Sequence, residues 1–137
     1  MSWSYFVQVL APLSFTDAVS RALPAEVKIE QANGMIYATL ASGARVVVVP
    51  PEPDQIDVSL PGGTPWSLGT PRIQTKFIVD IVGDDDDGMQ AGDAFSLADR
   101  LMATGNEDLV VVEEDTLRLR RINSVVERFG SALASSD

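Results

Sequence analysis

Apolar positions in this chain recur with a period of two in most segments and near 3.6 in a few. The switches between the two periods mark out the elements. In Trp3–Ala11, Trp3, Tyr5, Val7 and Val9 fall on one face and Phe6, Gln8 and Leu10 on the other, which predicts a strand ended by Pro12. Ser14, three residues ahead of Asp17, forms a capping-box pattern that opens a short helix through Leu23. Ala18, Val19, Ala22 and Leu23 give that helix its apolar stripe, and Pro24 closes it. Val27–Ala32 and Met35–Ala41 flank Asn33-Gly34, the residues that best tolerate the positive φ of a type I′ turn. Ser42-Gly43 then feeds Ala44–Val49, whose valine run predicts a strand buried on both faces. These three segments form an antiparallel meander.

Pro50 to Pro71 breaks the pattern with six prolines and with Gly62, Gly63 and Gly69. Within it only Ile56, Val58 and Leu60 alternate, as a short edge strand would. Ile73–Val82 resumes the period of two. The acid run Asp84–Asp87 and Gly88 follow, and then a helix from about Met89 to Ala103 ended by Gly105-Asn106. Leu109–Glu113 and Leu117–Ile122 predict a hairpin around Glu114-Asp115-Thr116. Ser124 with Glu127 makes a second capping box, predicting a C-terminal helix through Val126, Phe129 and Leu133. The order β-α-β-β-β-(β)-β-α-β-β-α indicates the α+β class: a single, mostly antiparallel sheet with two or three helices packed on one face. Residues 1–137 form one domain carrying an irregular Pro/Gly-rich loop at about 50–71.

Composition narrows the chemistry. The 137 residues include no histidine and no cysteine, which supply most general bases, soft metal ligands and thiol nucleophiles near neutral pH. No glycine-rich phosphate loop or nucleophile elbow is present. Acids outnumber bases 20 to 10, giving a net charge of −10. That balance argues against nucleic acid and anionic membranes and favours steering of a basic protein. Lack of cysteine, of a long apolar run and of a basic, apolar leader fits a cytoplasmic setting. The expectation is binding rather than catalysis, with no cofactor and no metal.

Asp84, Asp85, Asp86 and Asp87 are the most conspicuous cluster. As a calcium loop they fail: the glycine comes one place early, and the twelfth position is Phe95 instead of glutamate. Two readings stand together. Acids before a helix favour its positive end, and a run of like charges invites arginines and lysines from a partner. Asp93, Glu113, Glu114 and Asp115 extend the same field, provided the fold brings them together. Trp66 could anchor a partner, or more plainly fold over the core edge. Arg118, Arg120 and Arg121 alternate with leucines and read as the wet face of a strand pairing nearby acids. Carboxylate pairs such as Glu113 with Glu114, or Asp80 with Asp84, carry no spacing that supports hydrolysis.

The second half runs from a strand (Phe77–Val82) through an acidic turn and an alanine/leucine helix to a Gly-Asn break and the segment Leu-Val-Val-Val-Glu-Glu-Asp-Thr-Leu-Arg-Leu-Arg-Arg. Together with the opening strand Ser4–Ala11 and its short capped helix, this resembles the small Sit-type immunity proteins that protect bacteria from contact-delivered toxins. The resemblance implies a role: binding and neutralising a cognate basic toxin, such as a nuclease, through acidic surface loops. An alternative is an effector chaperone of the type III secretion kind, which obligate dimerisation would favour and the initial strand disfavours. A carboxylate-based or calcium-dependent enzyme is the distant third.

Overall fold

β1 (Trp3–Val9) lies inside the sheet and is paired on both sides, with β5 (Thr75–Ile81) and with β6 (Leu109–Glu113). The computed structural model describes residues 3–11, 13–50, 75–114, 116–122 and 124–129. Outward from β5 come β4 (Arg45–Val49), β3 (Met35–Thr39) and β2 (Ile29–Ala32). Outward from β6 come β7 (Thr116–Ile122) and β8 (Val125–Arg128). All adjacent strands are antiparallel. With α1 (Phe15–Ala22) and α2 (Met89–Thr104), the described residues form an α+β fold built on one eight-stranded sheet. The predicted strand at Ile56–Leu60 and the loop that holds it lie outside the described residues.

Register places the core. Val48 stands opposite Phe77, Val46 opposite Val79, Val7 between Phe77 and Val111, and Val9 between Thr75 and Leu109. These positions join Ala18 and Ala22 of α1 and Ala94, Leu97, Ala98 and Leu101 of α2 in one buried cluster. Each fully buried Val, Leu or Phe side chain contributes roughly 1.5–3 kcal/mol. β4 follows the period of two more closely than its composition suggests: Val46 and Val48 are buried, whereas Val47 and Val49 are half-buried.

The Asn33-Gly34 turn has positive φ at both residues (55° and 77°), as a type I′ hairpin needs. Ser14 caps α1 by accepting from the Asp17 amide, as predicted. The predicted C-terminal helix is a correction: residues 125–128 are strand β8. Ser124 has φ 71°, not the extended backbone of an N-cap, and β-branched Val125 and Val126 suit a strand. Glu127, the expected capping-box acid, instead stands opposite Arg120 and pairs with it at 2.5 Å.

The arginines also depart from expectation. Arg120 and Arg121 are successive residues of β7 and so face opposite sides of the sheet, which keeps all three arginines from sharing one wet face. Arg121 is buried and donates to the carbonyls of Met102 (3.0 Å), Gly105 (2.8 Å) and Glu107 (2.8 Å). It thus satisfies an open carbonyl in the last turn of α2, at Met102, and two in the cap and the segment that follows. Arg21, in the last turn of α1, grips Glu107 with both terminal nitrogens (2.8 and 2.9 Å) and also donates to the Leu101 carbonyl. A Cβ at residue 105 would meet the side-chain ends of both partners, so any other residue there would make the pair shift. The Arg21 hydrogen bonds hold the Glu107 carboxyl below its ordinary pKa, against the opposing effect of partial burial.

Replacing Arg121 by Met should cost about 3 kcal/mol in urea unfolding, because three carbonyls lose a charged donor, while Arg120→Met at a rim pair should cost under about 1 kcal/mol. Equal losses would contradict the capping role. A depressed folded pKa adds stability that is full above the ordinary value of 4.5 and is lost as pH falls through the folded value. The stability gap between the wild-type protein and Glu107→Gln should therefore close on acidification; a gap that widens would refute the pairing.

Candidate functional site

Antiparallel order decides where the acidic turns meet. β5 ends at Ile81 opposite Trp3, where β1 begins, and β6 ends at Glu113 opposite Tyr5. The connection 82–88 and the β6–β7 turn therefore emerge from the same end of the sheet. The β3–β4 turn joins them, since Arg45 stands opposite Asp80. Asp80, Asp84–Asp87, Asp93, Glu113 and Glu114 are gathered there, although the β5–α2 connection and the β6–β7 turn are far apart in sequence.

Within the acid run the four carboxylates divide. Asp85 has φ 53° and turns its side chain onto the start of α2, accepting from the amides of Gln90 (2.9 Å) and Ala91 (3.0 Å). Gly88 is the formal N-cap and offers no side chain, so Asp85 supplies the missing acceptor. Asp87 accepts from the Met89 amide at 3.1 Å. Buried Gln90 locks the connection further: its carboxamide accepts from the Val82 amide and donates to the Val82 carbonyl, both at 2.7 Å. Asp84 and Asp86 remain exposed, with carboxylates directed at no hydrogen-bond donor among the described residues.

The other acids serve partly as joints. Asp93, half-buried, accepts from the Ser42 hydroxyl and ties α2 to the β3–β4 turn. Glu113 pairs with Arg118, whose guanidinium lies 5.7 Å from the Phe95 ring centre. Glu114 is exposed and has φ 55°; its carboxylate accepts from the Ser4 amide at 2.6 Å. Beneath them Tyr5 is buried edge-on to Phe95, and that burial, followed by the nearby Glu113 charge, raises its hydroxyl above the ordinary pKa of 10.0. Trp66 and Asp115 lie outside the described residues.

Three features escaped the sequence reading. Gln90 as a connector and Arg121 as a helix cap depend on contacts remote in sequence, and neither spacing nor residue type singles them out. The other is a cleft of about 930 Å³ between the α1–β2 connection, the β3–β4 hairpin and α2. Its charged lining mixes Glu26, Glu30, Asp80 and Asp93 with Lys28, Arg45 and Arg100, so it favours neither sign strongly. Among the described residues no three acids stand close enough to hold a metal ion, and no helix is long and apolar enough to cross a membrane. Chemically, the acid end can accept hydrogen bonds and pair with cations. Glu113 and Glu114 are engaged with Arg118 and Ser4. The chain matches no protein-family model, no curated protein and no solved structure.

The division of the acid run can be tested by alanine replacement. Asp85→Ala should lower stability by about 1–2 kcal/mol through the lost cap. Asp84→Ala and Asp86→Ala should stay within about 0.5 kcal/mol of the parent protein. The reverse ranking, read from thermal or urea unfolding, would show that Asp85 does not hold the helix.

Proposed function

We propose that the chain is a protein-binding domain that docks a basic partner at its acid-lined end, serving as an immunity protein against a cognate toxin. The observation that carries this reading is the convergence of the β5–α2 connection and the β6–β7 turn at one end of the sheet, with Asp84 and Asp86 exposed. Two arginines stand at that end, Arg118 paired with Glu113 and Arg45 opposite Asp80, whereas Arg120 pairs with Glu127 and Arg121 with the C-terminus of α2. Complementary charge speeds association and excludes acidic competitors.

Residues of both helices and of the sheet share one buried cluster, which gives the acidic turns a stiff base. Asp85, Gln90 and Ser42 restrain those turns before any partner arrives, so little ordering is left for binding to supply. A toxin that acts on nucleic acid carries a basic surface for its own substrate, and acids arrayed on a rigid end complement it.

Capture from lysate with the purified chain as bait should retrieve a basic protein, with retention falling as ionic strength rises, because exposed charges are screened beyond about 10 Å at 0.1 M. The double variant Asp84→Asn/Asp86→Asn should weaken that binding at least about tenfold while folding normally. The captured protein, expressed alone, should arrest bacterial growth; co-expression of the parent chain should relieve the arrest and the double variant should not. Salt-insensitive capture of a neutral or acidic protein would sink the reading.

A further inference from the structure

β2 closes one margin of the sheet, and its four residues, Ile29 to Ala32, are all exposed. Which of its backbone groups face outward follows from the turn. Ala32 and Met35 flank a two-residue hairpin, so they exchange both ladder hydrogen bonds. One step back along the pairing, Glu30 bonds to Tyr37 in the same way. The amides and carbonyls of Ile29 and Gln31 therefore point away from β3, toward the open margin. A margin of this kind is a template for another strand.

We infer that the strand it takes is β2 of a second copy, paired antiparallel about a two-fold axis at Ile29. In that register Ile29 faces its own counterpart as a hydrogen-bonded pair, which its outward amide and carbonyl permit. Lys28 then stands opposite Glu30 of the second copy, and Glu30 opposite Lys28, in the closer non-hydrogen-bonded positions. Lys28 and Glu30 are exposed, and neither is in an ion pair among the described residues. Neighbouring registers lack this match. Centring on Lys28 opposes two lysines and sets Glu26 against Glu30; centring on Glu30 opposes two glutamates. Centring on Gln31 pairs no charges at all. The charges that discourage indiscriminate edge pairing thus leave one favourable register.

At the other margin, β8 has no equivalent. Centring its self-pairing on Glu127 or on Arg128 opposes like charges, and centring on Val126 aligns no opposite pair. The antiparallel axis at β2 also sends the two acid ends in opposite directions, so two chains of net charge −10 can associate without bringing their acid clusters together. A strand this short gives a reversible pair, not an obligate dimer, and each acid end stays open. The inference does not depend on the function proposed above.

Sedimentation equilibrium of the full chain from about 1 µM to about 1 mM should show a monomer–dimer equilibrium. Lys28→Glu alone and Glu30→Lys alone should each weaken it at least about tenfold, because each replaces two attractive cross-strand pairs with repulsive ones. An equimolar mixture of the two variants should restore dimers, since each then meets opposite charges, and the double variant with both exchanges should dimerise like the parent. The inference is overturned if the parent stays monomeric throughout, if either single variant dimerises as the parent does, or if the mixture fails to recover.

Discussion

α2 is held at both ends by charge, and the arrangement of the acid end depends on that clamp. At its N-terminus the carboxylate of Asp85 receives two backbone amides; at its C-terminus Arg121 donates to three carbonyls. Both sites offset the partial charges that helix ends carry. Arg121 sits on β7 and Asp85 on the connection leaving β5, so the clamp also locks the helix to two separate parts of the sheet. The core alone would tolerate some sliding of an alanine-rich helix. Directional bonds at its ends reduce that freedom.

The clamp has a consequence for the surface. Four consecutive aspartates would repel one another in an extended loop. Turning Asp85 inward and bonding Asp87 to the Met89 amide compensates part of that charge within the fold, while Asp84 and Asp86 remain exposed. One run thus divides between residues that hold the helix and residues left exposed. At the opposite end of the sheet, where α2 finishes, Glu107 lies in the fork of Arg21.

Much of this was legible in the sequence, where local rules decide the outcome. Asn33-Gly34 specified its hairpin because few other residue pairs accept positive φ twice, and the Ser14–Asp17 cap needs only four residues. Acids before α2 were readable as helix-end acids, although not which of the four would turn inward. What was not legible is non-local. Nothing in the sequence order says that β1 inserts between β5 and β6, yet that insertion brings the acidic turns together. Residues 124–127 show the opposite failure: a cap-like spacing was present, but pairing of Glu127 with Arg120 across two strands outweighed it. Arg121 misled because, next to Arg120 in the strand, it turns to the opposite face and is buried.

The most direct measurement is a comparison of amide relaxation enhancement by a cationic and by a neutral soluble nitroxide, made at low ionic strength on the isotopically labelled chain. Cation-specific enhancement concentrated at residues 83–88, at Glu113 and Glu114, and in the β3–β4 turn is the expected result. An even distribution over both ends of the sheet would contradict a surface polarised by its acids.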